Sequence, residues 1–384
     1  MINTQEKIQE LLVQADICLN GDRPWDLTVH DNRFYDRVIR HGSIGLGEAY
    51  MDGWWDAEEL DEFFCKLLRA ELDKKAGYSP GWILLFLRSL FTNLQRQTKA
   101  YQIGERHYDI GNDLYRAMLD KRMVYTGAYW EDASTLDEAQ ENKLEMVCRK
   151  LGLQPGQSVL DIGCGWGSFA KYAAEKYDVE VIGITVSKEQ AKLGRELCEG
   201  LPVTIRLQDY RDLDEQFEHI VSLGMIEHVG YKNYRKYFDV VTRCLSDSGS
   251  VLLQSIGSSY AVRVTDPWIQ KYIFPNSMLP SISQLANAFE GKLVVEDWQN
   301  IGVDYDRTLM AWFRNFNKNW SSLSHNYSER FYRMWKYYLL MSAGGFRARK
   351  NQLWQIAFTK SGLPNGFRVP GYRESEVAYL SKQG

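Results

Sequence analysis

Val159–Ala170 reads VLDIGCGWGSFA: an apolar strand end, an acid, three alternating glycines and then a helical run. Gly163, Gly165 and Gly167 let the backbone approach a ligand closely. A strand-to-helix turn of this kind holds a cofactor at the carboxyl edge of a doubly wound sheet. The dinucleotide fingerprint is GxGxxG, with a helix N-terminus under a pyrophosphate. Here the spacing is GxGxG, and Asp161 precedes the first glycine. An acid at that point suits a cationic or amino-acid ligand better than a pyrophosphate.

Downstream of this loop, short apolar runs alternate with amphipathic segments. SVLDIG, VEVIGIT, VTIRLQ, HIVSLG and SVLLQSIG read as strands, with SFAKYAAEKY, SKEQAKLGRELCE and NYRKYFDVVTRCL as the intervening helices. KLVVEDW and LWQIAFTK add two more strands across a helical stretch. The pattern predicts an α/β fold: a doubly wound, mostly parallel Rossmann-like sheet covered on both faces. Ser258 to Gly291 is too long for a bare connection and is expected to cover a site. Upstream, IQELLVQADICL and DEFFCKLLRAEL repeat at helical spacing, and GWILLFLRSLFTNLQRQTKA reads as an amphipathic helix with a basic tail. Gly45, Gly47 and Gly53 are expected to break any long helix between the first two. The chain thus divides into a smaller, mainly helical N-terminal domain over 1–95, a lead-in over 96–144 and a catalytic domain over 145–384. The segment from Ser361 onward is polar.

With 384 residues, 45% hydrophobic and 25% charged, two folded units are expected. The net charge of −4 gives no reason to expect nucleic acid as a partner. Six cysteines form no CxxC pair and have no ligand-spaced histidine, so reduced thiols and no metal site are expected. The most lipophilic run, Trp82 to Leu87, stops at Arg88, far short of the roughly 20 residues of a membrane span. Residues 1–80 carry 16 acids and 9 bases, whereas 311–360 carry nine bases, one acid and 13 aromatics. A basic, aromatic stretch suits anionic lipid headgroups. The competing reading turns its rings into the core and leaves its charges on a solvated face.

The D-I-G-C-G-x-G pattern resembles the first motif of the S-adenosylmethionine-dependent methyltransferases. The resemblance implies S-adenosylmethionine as cofactor, with Asp161, Gly163, Gly165 and Trp166 around it and Tyr125 and Thr126 in contact. Many such enzymes have an acid after the second strand for the ribose hydroxyls. This chain has Thr185 and Gln190 there instead. Gln208 and Asp209, at the end of the third strand, offer an acceptor for an exocyclic amine. Cys164, inside the loop, reads as a small packed residue.

GSIGLGEAYMDGWW, HYDIGNDLY, VYTGAYW, GITVSKEQ, QDYRD, MIEHVG, DPWIQKYIFPN, DYDRTLMAW and GFRARKNQLWQ follow one another along the chain. In that order they resemble the cyclopropane-fatty-acyl-phospholipid synthases and the related mycolic acid cyclopropane synthases. The acidic, glycine-broken N-terminal part resembles the phospholipid-acting branch. The resemblance implies transfer of a methylene unit to a cis double bond of a phospholipid acyl chain, through a carbocation deprotonated by bound bicarbonate. It further implies a homodimer in the cytoplasm, peripherally associated with the inner face of the cell membrane. The bicarbonate cradle implied is Gly127, Glu227, Gln254, Ile256 and Tyr305, with His228 beside Glu227 as a structural hydrogen-bonder. Glu227 would orient the anion, Ile256 would donate its backbone N–H, and Tyr305 would donate its hydroxyl and face the cation. Two positions depart from the family pattern: Gly127 stands where cysteine is usual, and Gln254 where histidine is usual. Two other readings stay open at this point. One is a membrane-associated binder of S-adenosylmethionine without chemistry. The other is an enzyme that methylates without closing a ring, or that acts on a small amine.

Overall fold

The computed structural model describes residues 4–72, 111–262 and 265–367. The amphipathic stretch at 81–100, the start of HYDIGNDLY and most of the polar tail lie outside the described residues. Three helices open the chain: α1 (Thr4–Val13), α2 (Arg33–Met51) and α3 (Leu60–Arg69), with a two-residue β1–β2 pair (Thr28–Val29, Trp55–Asp56) between them. The helices α4 (Asn112–Met118) and α5 (Leu136–Leu151) lead into the sheet, and a Thr135–Glu138 capping box starts α5.

The sheet then alternates as its periodicity predicts. Strand β3 (Ser158–Ile162) is followed by α6 (Ser168–Tyr177), β4 (Glu180–Thr185), α7 (Lys188–Leu197), β5 (Val203–Leu207), β6 (Phe217–Leu223), α8 (Tyr234–Cys244) and β7 (Leu245–Ser258). The insert holds α9 (Pro267–Tyr272) and α10 (Ile282–Phe289). After it come β8 (Val294–Asn300), the long helices α11 (Gly302–Leu323) and α12 (Glu329–Arg347), and β9 (Asn351–Thr359). The seven strands lie in the order β5-β4-β3-β6-β7-β9-β8. Neighbours from β5 to β7 are parallel, and β9 runs antiparallel between β7 and β8. Strand order reverses between β3 and β6, the place where such sheets bind ligands.

One sheet face packs Leu160, Ile220 and Val251 against Phe238 and Val241 of α8. The other packs Val159, Val221 and Leu252 against Leu144 and Val147 of α5 and against α6. A third core joins α1–α3 to α11 and α12 and reaches Trp166 of the glycine loop.

One expectation about the N-terminal part needs correction. Gly45 and Gly47 do not break the helix; they lie buried inside α2, and the chain kinks earlier, at Gly42. A Cβ on Gly47 would sit 2.4 Å from the Trp268 ring, so that glycine exists for close packing of α2 on α9. Of the two readings of the basic stretch 311–360, the one that turns its rings into the core holds for its main part. Trp312, Phe316, Trp335, Tyr337 and Phe346 are buried. Its cations meet the acids of the N-terminal part: Arg330 with Asp52 at 2.9 Å, Arg333 with Asp56 at 2.7 Å, Arg347 with Asp61 at 2.7 Å and Lys350 with Glu71 at 3.2 Å. Part of the charge asymmetry along the chain is thus an internal complementarity.

Candidate active site

The loop after β3 bends sharply because Gly163 and Gly165 adopt φ of 84° and 55°, a region closed to most side chains. The Gly163 and Cys164 amides donate to the Ile184 carbonyl at 2.9 and 3.0 Å and anchor the turn to β4. Cys164 is buried, which pushes its thiol well above the ordinary range, and it serves as packing.

One cavity opens over the carboxyl ends of β3 to β6, and all ten residues expected to contact a cofactor line it. Asp161, Gly163, Gly165 and Trp166 form its floor. Trp166 is fixed by its indole N–H on Asn112 Oδ1 at 3.1 Å and by the Tyr115 ring at 4.8 Å. Thr185 and Gln190 join each other, Oγ1 donating to Oε1 at 2.8 Å. Gln208 stands at the far wall. Asp209 accepts from the Arg211 amide at 3.0 Å and its guanidinium at 3.2 Å, so its carboxylate enters the cavity already oriented. Tyr125 and Thr126 close the near wall. The Tyr125 hydroxyl meets that of Tyr338 at 3.0 Å, and the Thr126 carbonyl accepts from Gln140 at 2.8 Å.

Of the other predicted residues only His228 is in the lining of this cavity; Glu227, Ile256, Gly127 and Tyr305 are linked to one another through Leu353 and the β7–β9 pairing. Glu227 follows β6 in a tight turn and is 5% exposed. Its Oε1 accepts the Ile256 N–H at 2.6 Å, and its Oε2 has no partner among the described residues. Burial raises the carboxyl to about 7, with the Ile256 amide pulling the other way. Ile256 pairs with Leu353 across β7 and β9. Leu353 packs over Gly127, and the Tyr305 ring packs beside it: a Cβ on Gly127 would lie 2.4 Å from Leu353 Cδ2 and 3.0 Å from the ring. Tyr305 itself packs on Phe346 at 4.6 Å and Trp312 at 5.8 Å between centroids. Gln254 is fully buried two residues before Ile256 and pairs with Gln355, whose Nε2 donates to Gln254 Oε1 at 3.0 Å. His228 lines the cavity and stacks edge-on against Phe274 at 5.8 Å. Loss of hydration lowers it to about 4, so it is neutral at pH 7.

One expected role is corrected. The Ile256 N–H was expected to face an anion, but Glu227 occupies it. Ile256 therefore orients the acid. The insert does reach this site. Trp268 seats α9 on α2, Phe274 touches His228, and the Met278 amide donates to the Glu227 carbonyl at 2.8 Å. Lys143 of α5, which also lines the cavity, is not signalled by any motif. The sign that could have found it is its place on the apolar stripe of its helix, between Ala139 and Val147.

A cavity at the sheet's switch point, edged by a buried carboxyl and packed aromatic rings, suits methyl transfer to an apolar substrate. Residues 95–356 match the family described as mycolic acid cyclopropane synthetase. This chain belongs to that family. It is an S-adenosylmethionine-dependent methyltransferase. The cyclopropane-fatty-acyl-phospholipid synthase of Escherichia coli (strain K12) is 53% identical over 360 residues, 94% of each chain. The tuberculostearic acid methyltransferase of Mycobacterium tuberculosis is 34% identical over 85% of this chain and 81% of its own. Among solved structures, a cyclopropane synthase from Mycobacterium tuberculosis superposes with a TM-score of 0.65, at 28% identity, over 70% of this chain and all of its own. A mycolic acid cyclopropane synthase complexed with SAH and CTAB gives 0.64, at 32% identity, over 68% of this chain and 98% of its own. Family membership removes the reading of a binder without chemistry. Among the described residues, no helix is long and apolar enough to cross a membrane.

Proposed function

We propose that this methyltransferase converts the cis double bond of an unsaturated phospholipid acyl chain into a cyclopropane ring, with bicarbonate as the base. A cis alkene is a weak nucleophile, so its π bond must be held close to the methyl donor. The alkene's electron pair would bond to the methyl carbon as the methyl–sulfur bond breaks and its pair stays on sulfur, leaving a cation on the adjacent chain carbon. A proton then leaves the new methyl group, and the freed pair closes the three-membered ring. Bound S-adenosylmethionine supplies the activated methyl, and bound bicarbonate the acceptor for the proton.

The observation that carries this reading is the buried Glu227 carboxyl, with one oxygen fixed by the Ile256 amide and the other without a partner among the described residues. The residues fit bicarbonate at two points. Glu227 Oε2 can accept from its hydroxyl, and Gln254 Nε2, buried and without an acceptor among the described residues, can donate to its charge. They fail to fit at a third, the Ile256 amide. Tyr305, packed on Trp312 and Phe346, is in this reading the ring that would face the developing positive charge. A side-chain carboxylate placed there would trap the cation covalently; a small anion held by Glu227 avoids that.

A phospholipid bilayer met from its cytoplasmic face is the partner in this reading, and a homodimer is the working form. The 53% identity to a phospholipid-acting enzyme over 94% of the chain supports the substrate. Mass spectrometry of lipids from cells expressing the protein tests the reaction. The expected product gains one carbon, loses its double bond and carries no branch. A methyl-branched chain, or unchanged lipid, would contradict it. Flotation with vesicles and sedimentation of the pure protein test the partner and the dimer.

A further inference from the structure

Helix α5 turns two fully desolvated lysine heads into the protein. Lys150 is answered by Asp297 at 2.8 Å and Gln299 at 2.7 Å. Lys143 is not answered in that way. It is 0% exposed and lines the cofactor cavity, and among the described residues its hydrogen bond goes to Thr126 Oγ1 at 3.1 Å. A hydroxyl orients an ammonium but does not neutralise it. Asp161 and Asp120 act on Lys143 through space, and Asp120 spends its oxygens on the Val124 and Arg122 amides at 2.9 Å each. A buried cation with unspent N–H groups is costly unless a charge meets it.

The cavity wall therefore carries a buried cation and a buried anion, Lys143 and Asp161. The methionine end of S-adenosylmethionine is a zwitterion, with a carboxylate and an ammonium on one carbon. We propose that Lys143 binds the α-carboxylate of the cofactor, aimed by Thr126, while Asp161 faces the neighbouring ammonium. This rests on S-adenosylmethionine being the cofactor. Desolvation lowers Lys143 to about 8, and burial raises Asp161 to about 7 with Lys143 holding it down. Near neutral pH the lysine is therefore charged before a ligand arrives.

Titration calorimetry on the full chain with S-adenosylhomocysteine and with its decarboxylated analogue, which keeps the amine, tests the assignment. A charge-assisted hydrogen bond is worth about 10- to 100-fold in affinity. The wild-type chain is expected to bind the analogue weaker by about that factor. Lys143→Met is expected to weaken S-adenosylhomocysteine similarly and to bind both ligands equally. Thr126→Val, which keeps the charge and removes its guide, is expected to fall between. If Lys143→Met keeps the wild-type ratio, Lys143 serves only as counter-ion to Asp161 and the proposal is overturned. A wild-type ratio near one overturns it without any variant. If the wild-type chain binds neither ligand nor 5′-methylthioadenosine, the cofactor assignment itself has failed.

Discussion

Glu227 Oε1 lies 2.6 Å from the Ile256 amide nitrogen, while Oε2 of the same carboxyl meets no donor among the described residues. One backbone bond fixes the acid, and its second oxygen is kept for something else. The two residues come from the turn after β6 and from β7, neighbouring parallel strands, so the sheet itself sets their separation.

That burial makes stability depend on pH. The folded carboxyl titrates at about 7 against an ordinary 4.5. The native state thus keeps a proton that the unfolded chain has released. Stability falls as pH rises from 4.5 to about 7, and the loss is complete above that. Glu227→Gln removes the loss. Thermal melts are expected to show the variant more stable than wild type at pH 8 and no more stable at pH 4.5. A difference independent of pH would contradict the burial argument.

Gly127 leaves no room for a side chain. Gly127→Ala is expected to destabilise by about 1–3 kcal/mol, as overpacking does, because Leu353 Cδ2 stands 2.4 Å from the new carbon. Adding Leu353→Val should restore most of the loss in urea denaturation. Gly127→Cys is expected to need the same relief.

The acidic N-terminal part and the basic helix α12 hold each other. Arg347 spans Asp61 at 2.7 Å, Glu62 at 3.2 Å and Asp306 at 2.9 Å. Arg347→Met is expected to cost about 1 kcal/mol, because the cluster is partly exposed and screened. The loss should shrink in 1 M salt. Equal stability at low salt would show that the cluster contributes nothing.

The parallel core was legible because short apolar runs between amphipathic helices leave few alternatives, and the glycine loop marked the cavity. The role of Gly47 was not legible. A glycine that ends a helix and one that admits Trp268 look alike until the partner is known. The charge imbalance between 1–80 and 311–360 was visible, but not that the two segments face each other. Lys143 was hidden because an inward lysine on an amphipathic helix breaks the pattern used to find the core. The Glu227 carboxyl as acceptor of the Ile256 N–H was not legible either, since the direction of a backbone N–H depends on strand register.

The rate of ring formation by Glu227→Gln, measured alongside its affinity for S-adenosylhomocysteine, bears most directly on the proposed chemistry. Loss of an oriented proton-transfer group costs about 10²- to 10⁴-fold. The expected result is a fall of that size with cofactor affinity unchanged and the fold intact. Wild-type yield of cyclopropane lipid from Glu227→Gln would contradict the account.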